Sequence, residues 1–571
     1  MLLVEGALTA ISVGLAFCWP HLGASFFSSI ERTFGRLAAR KRLAVAVVGF
    51  SALLTRLAML PYFPIPHPFI PDDYSFLLAA DTFASGRLTN PTPAMWTHFE
   101  SINISMQPTY GSMFFPAFGM VLAAGKVLTG NPWFGLLLVT TLMCAAICWM
   151  LQAWLPPGWA LLGGLLAVVR LGLFSFWINT YTGAGSVAAL GGALVLGALP
   201  RILKHARVRD SLLLATGVLV LANSRPYEGL LLCLPVAVVL TRWIFWGKNG
   251  PAGAVLLRLA VPGLALLIAG GSWMAYYNYR NFGSPLTLPY TTNRATYAVA
   301  QHFIWERELP EPVYRYKAMR DYYMLGELPE FRRFHTIPGF ISQSIGKLVV
   351  AFVFFAGMVF APLLIVLPRA LEDRRIRFLS LCMIPMFVGV IAEAGIRPYY
   401  LAPFTAAFYA IGLQAMRHLR QAKSNRQRVG RTMVRLMATV CICLAAVDLW
   451  ADSHGFQFSD GPGSTWNCEC LGPNRSGTQR ANVLSELERL PGKQLVLVRY
   501  AAKHGWLNEW VYNNADIDDS KVIWAREMDS GDNSELIRYY KDRQVWLVQA
   551  DQVPAKLLPY SGPAQTAADT H

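Results

Sequence analysis

Apolar runs of about the length that crosses a lipid bilayer recur along most of this chain, and they leave few folds open. They cover 2–19, 43–62, 133–154, 159–178, 183–200, 211–223, 229–246, 256–278, 347–367, 378–394, 400–416 and 434–450. Inside hydrocarbon, only helices and closed barrels satisfy every backbone N–H and C=O. Runs of this length predict helices. Composition agrees, because 54% of the 571 residues are hydrophobic and 15% are charged, where a soluble protein carries roughly a quarter. The expectation is a polytopic α-helical membrane protein with about 12 transmembrane helices.

The net charge of +16 would suit a nucleic-acid binder, but its placement argues for a membrane instead. Basic residues gather in short segments between the runs: Arg32 to Arg42, Arg201 to Arg209, Arg242 to Arg258, Arg369 to Arg377, and Arg417 to Arg435. With twelve spans and both termini outside, every one of these segments falls on the cytoplasmic side, as the positive-inside rule requires. The first run lacks a basic leader and contains Glu5, so it reads as a retained helix rather than a signal peptide. "MFFPAFGMVLAAGKVL" (113–128) is apolar but short for a span, and reads as a helix lying at the interface.

This topology puts three larger pieces outside: a loop at about 63–131, a second at about 279–346, and a polar segment from 451 to 571. The last carries strand patterns at 494–500, 521–527 and 544–550, interleaved with helical patterns. Such alternation predicts a small extracytoplasmic α/β domain behind a transmembrane domain of residues 1–450. Seven cysteines lie in the apolar runs, where they read as small hydrophobes. Cys468 and Cys470 fall in the tail, too close together for an unstrained disulfide and too few for a zinc site.

The first outer loop contains "PHPFIPDDYSFLLAAD" (66–81). Asp72 and Asp73 stand at the start of a helical pattern that ends at Gly86. Either could cap that helix. Equally, two carboxylates near the membrane surface could hold a general base, a divalent cation, or both.

"DDYSFLLAADTFASGRL" resembles the first extracytoplasmic loop of the GT-C glycosyltransferases that use polyprenyl-phosphate sugars, a class that includes protein O-mannosyltransferases and lipid A aminoarabinose transferases. "QPTYGSMFFPAFG" (107–119) is similar to the segment that opens an interfacial helix there, with Gln107 in place of a basic residue and Thr109 in place of a proline. The first loop, "NSRPYEGLLLCLP" and the tail also resemble a group of bacterial GT-C-like membrane proteins. The resemblance implies the GT-C fold, a cytoplasmic-membrane location with the active face outside, and a lipid-linked sugar donor. It implies Asp72 as the catalytic base, with Asp73 supporting it or binding a metal.

A phosphate-bearing donor demands cations on the outer face. Two "RPY" tripeptides, at 225–227 and 397–399, fall at outer ends of spans, and the fork of Arg225 or Arg397 suits a phosphate. Glu228 and Glu393 are candidate partners for these arginines. Tyr74, Tyr227, His98, Glu100, Gln107 and Tyr110 are candidate contacts to sugar or acceptor, with His67, Tyr181 and Arg280 beside them. Arg294, His302 and Arg307 lie in the second loop. The acceptor is a glycan, lipid or protein, and nucleic acid is not expected. The competing readings are a secondary transporter, against which stand the absence of duplicated halves and the charges at the outer ends, and a non-catalytic binder of lipid-linked sugar.

Overall fold

A computed structural model of the chain describes residues 2–246, 253–395, 397–421, 426–453 and 477–561. Cys468 and Cys470 lie outside the described residues. All twelve apolar runs fall mainly on helical backbone. Among the described residues, six helices are both long and apolar enough to cross a membrane, including Trp133–Trp154, Gly185–His205, Pro226–Trp246 and Gly253–Phe282. Leu2–Cys18 and Arg377–Ala392 are apolar but shorter.

Boundaries differ where special residues intervene. The run at 347–367 becomes a helix at Ile337–Phe355, then a 3-10 segment at Met358–Ile365. Thr336 caps its start by accepting the Gly339 N–H, and Gly357 breaks its end at a φ of 69°. This backbone conformation favours glycine. The loop between the first two runs, basic by sequence, contains an amphipathic helix at Ala24–Ala39.

The first outer loop is built around three elements. The Pro71–Ala84 helix starts with proline in its first turn, where the missing N–H is no loss. A two-stranded ribbon follows, β1 (Ile104–Ser105) paired antiparallel with β2 (Gly111–Ser112). The apolar stretch at 113–128 forms the Pro116–Thr129 helix, stopped by Gly130 at a φ of 80°. This helix approaches its neighbours at glycines. A Cβ on Gly119 would stand 2.6 Å from that of Ala79, and one on Gly125 would stand 2.2 Å from the Gly135 nitrogen. Small residues thus seat the loop directly on the Trp133–Trp154 helix.

The tail folds as an α/β layer. Its four strands are β3 (Lys493–Arg499), β4 (Val522–Arg526), β5 (Arg543–Gln549) and β6 (Lys556–Pro559). They are ordered β4-β3-β5-β6. The first three run parallel and β6 antiparallel. Leu495, Leu497, Ile523 and Ala525 from one face of this sheet share a core with Tyr74, Phe99, Ile104 and Tyr110 from the first outer loop. The tail therefore packs on the same loop that carries Asp72.

Candidate functional site

Adjacent residues on a helix point about 100° apart, so the two aspartates of the Pro71–Ala84 helix separate. Asp73 turns inward and is 0% exposed. Its Oδ2 accepts the Phe69 N–H at 3.2 Å and its Oδ1 accepts the Thr182 hydroxyl at 2.5 Å. Burial pushes this carboxyl up to about 7, against the pull of those hydrogen bonds. Neither aspartate caps the first turn: Ile70 is the residue at the cap position, and Asp73 reaches back upstream. Both Asp73 oxygens are thus engaged by protein donors. Among the described residues, no group of three or more His, Cys, Asp or Glu is placed to hold a metal ion. The donor set does not fit a metal at Asp73.

Asp72 points the other way, into a half-buried position. Asn103 donates to its Oδ1 at 2.7 Å. Burial raises its pKa, while the guanidiniums of Arg397 and Arg225 and the Tyr399 hydroxyl pull it back down. Both arginines of the RPY tripeptides thus lie within electrostatic range of the carboxylate on which the sequence focused.

Three chain segments converge to hold this arrangement. The turn before the Gly185–His205 helix provides Thr182 to Asp73 and the Gly183 carbonyl to Arg225, at 3.1 Å. Gly183 has a φ of 83°, and a Cβ there would stand 2.2 Å from the Tyr399 ring. Only glycine permits that close approach. Arg225 lies over the Tyr399 and Tyr400 rings, at 4.4 and 4.9 Å, and pairs with Glu228 at 3.8 Å. Arg397 is exposed. The stacked, half-buried guanidinium and the open one together make a cationic surface beside Asp72.

The second outer loop closes over this surface. Tyr322, on a π turn at Tyr322–Glu327, lies within electrostatic range of Asp72. Arg294 pairs with Glu327 at 2.9 Å on the same turn. His302 meets the fully buried Glu393 at 3.3 Å, and burial pushes its imidazole down to about 4. Backbone bonds from Ile304 to Ala392 and from Ala394 to His302 fasten this loop to the segment leading to Arg397.

Of the other sequence candidates, Tyr74, Tyr110 and His98 meet the tail, and Glu100, Tyr227 and Arg280 have other partners. Tyr74 stacks on Tyr512 with ring centroids 4.2 Å apart, and its hydroxyl donates to the Pro68 carbonyl. Tyr110 donates to the Asn513 carbonyl at 3.0 Å. A His98 ring nitrogen meets the Arg526 carbonyl at 3.1 Å. Glu100 is buried, accepts the Tyr297 hydroxyl at 2.9 Å and pairs with Arg315. Tyr227 donates to the Gly389 carbonyl at 3.2 Å and packs on Phe303. Gln107 is exposed. Tyr181 is buried, and Arg280 bonds the Tyr276 hydroxyl. Tyr399, Asn103, Thr182 and Tyr322 escaped the sequence reading. The tyrosine beside Arg397 was the one visible signal.

An acidic loop seated on a helical bundle, with arginines from two helix starts near its carboxylate, is a fold that known structures share. Two solved structures carry the likeness. ArnT from Cupriavidus metallidurans in its apo state is 14% identical with a TM-score of 0.50, over 88% of this chain and 93% of that one. The same protein bound to undecaprenyl phosphate is 13% identical with a TM-score of 0.50, over 89% and 92%. ArnT is an aminoarabinose transferase. No family model and no curated protein matches the chain.

Proposed function

We propose that this protein is a membrane glycosyltransferase that moves a sugar from a polyprenyl-phosphate carrier to an acceptor outside the cytoplasmic membrane. One observation carries the reading: Asp72, bonded by Asn103, lies within electrostatic range of Arg397 and of Arg225, whose guanidinium is stacked on Tyr399 and Tyr400. The ArnT fold, in one structure bound to undecaprenyl phosphate, supports it. Residues 1–450 form the transmembrane domain, and the tail from 451 is an extracytoplasmic domain that contributes to acceptor binding.

The carrier phosphate lies against Arg225 and Arg397, which neutralise it as it leaves. Asp72 removes the proton of the acceptor hydroxyl or amine. The acceptor's heteroatom bonds to the anomeric carbon while that carbon's bond to the phosphate oxygen breaks, and the electron pair departs with the phosphate. Asp73 anchors the Thr182 turn and thereby positions Arg225 and Tyr399. Tyr322 covers the reacting end of the sugar.

The test compares wild type with Asp72→Asn and Asp73→Asn in membranes, following a radiolabelled polyprenyl-phosphate-sugar pool. Asn preserves size and removes the base. Loss of turnover in Asp72→Asn at normal protein level is expected, with partial turnover kept by Asp73→Asn. Full turnover in Asp72→Asn would move the chemistry elsewhere.

A further inference from the structure

The Ala24–Ala39 helix, which joins the helices Leu2–Cys18 and Lys41–Ala58, has three distinct faces. The first packs on the protein. Glu31 is forked between Arg420 and Arg435 at 3.0 and 2.9 Å, Arg435 also donates to Ser28, and its guanidinium lies 5.6 Å from the Phe27 ring. The second is apolar and open: Phe26 is 65% exposed, Ile30 38% and Phe34 44%. These residues recur every fourth position, so they sweep about 80° of one side. Trp19 and Leu22 extend the same exposed apolar character at its start. The third face carries Ser25, Ser29, Arg32, Thr33 and Arg36, all exposed.

Position says what meets the open apolar face. The Lys41–Ala58 helix has 18 residues and is about 27 Å long, close to the thickness of a bilayer's hydrocarbon core. Its far end leads into the loop with Asp72, so the Ala24–Ala39 helix sits on the opposite side of the bundle. There it lies between the two helices it joins, with its apolar stripe beside its protein-facing side and its arginines on the remaining arc. Such a helix lies flat among lipid headgroups. Its charge then selects the lipid. Glu31 is already matched by Arg420 and Arg435, whereas Arg32, Arg36, Arg40, Lys41 and Arg42 are all exposed. Five cations next to an inserted stripe complement acidic headgroups.

We propose that the Ala24–Ala39 helix is an acidic-phospholipid binding element on the face of the membrane away from Asp72. Phe26, Ile30 and Phe34 insert between acyl chains, and Arg32, Arg36 and Arg40 hold the headgroup phosphates. The proposal does not depend on the transferase reading, because it concerns a different surface and a different ligand.

The full-length protein is reconstituted in nanodiscs of phosphatidylcholine, with or without phosphatidylglycerol, and its thermal unfolding midpoint is measured. Bound phosphatidylglycerol per protein is counted by mass spectrometry after detergent extraction. Wild type is expected to unfold at higher temperature with phosphatidylglycerol, and the gain is expected to shrink at high salt. The triple variant Arg32→Gln, Arg36→Gln, Arg40→Gln is expected to lose the gain and to retain several-fold less phosphatidylglycerol. Arg36→Gln alone, less disruptive to folding, is expected to lose part of both. Soluble glycerol phosphate added to phosphatidylcholine discs is expected to do nothing, which separates a headgroup in its bilayer from free phosphate. The proposal is overturned if wild type gains nothing from phosphatidylglycerol, if the triple variant keeps the full gain, or if glycerol phosphate reproduces it.

Discussion

The tripeptide Arg-Pro-Tyr occurs at 225–227 and again at 397–399, and the two copies fold differently. Pro226 opens a 21-residue α-helix, whereas Pro398 opens a seven-residue 3-10 turn. The second copy is followed by Pro403 five residues on, which cannot donate to the Tyr399 carbonyl as an α-helix would require. The arginines diverge accordingly. Arg225 is half-buried, stacked on two rings and paired with Glu228; Arg397 is exposed. The tyrosines diverge too. Tyr227 bonds a neighbouring helix, while Tyr399 lies under Arg225 and helps hold the Asp72 pKa down. A short motif tells where a helix begins, and the packing around it assigns the work.

That contrast can be broken by substitution. The largest effect is expected from Arg225→Met, which removes the proposed phosphate ligand and leaves Glu228, 4% exposed, without its partner. Turnover should vanish, and the purified protein should lose roughly 3 kcal/mol of stability by denaturant unfolding, as when one member of a buried pair is deleted. Undiminished stability would show that the two arginines are equivalent after all.

Arg397→Met should separate catalysis from folding. Removing one charge-stabilising donor lowers turnover by roughly 100-fold, while loss of an exposed side chain changes stability by no more than about 0.5 kcal/mol. It should also move the acid limb of the pH–rate profile to higher pH. A base must be ionised, Arg397 lowers the Asp72 pKa, and without it the carboxyl keeps its proton to higher pH.

The tyrosines give a smaller contrast. Tyr399→Phe removes a hydroxyl that lowers the Asp72 pKa and should lower turnover several-fold, again shifting the acid limb upward. Tyr227→Phe should cost about 1 kcal/mol of stability, the usual worth of one hydrogen bond, and leave the rate unchanged.

A dependence on pH concerns the turn that touches both copies. Asp73, anchor of Thr182, has its pKa raised from 3.8 to about 7 by folding. Its contribution to stability is full below pH 3.8 and is lost as pH rises through about 7. Unfolding across that window should show a falling stability in wild type, and Asp73→Asn should flatten the slope.

Much of this was legible in sequence, because hydropathy acts locally. The apolar runs, the short helix near 116–129 and the strands of the tail all announce themselves within a few residues. What was hidden depends on partners far away. Tyr74, His98, Glu100 and Tyr110 looked like sugar contacts from their residue types, yet they meet Tyr512, Arg526, Arg315 and Asn513. No spacing rule connects residue 74 to residue 512. The Ala24–Ala39 helix was hidden differently: its arginines read as a basic loop, and its apolar stripe is only three residues long.

The stacking of Tyr74 on Tyr512 bears on how the protein is made. Ribosomes deliver Asp72 early, whereas its surroundings arrive in instalments: Asn103, then Thr182 and Arg225, then Arg397 and Tyr399, and at the end the sheet that packs on the acidic loop. A chain stalled midway through synthesis holds Asp72 without Arg397 and Tyr399. Completion of the cluster around Asp72 is thereby tied to completion of the polypeptide.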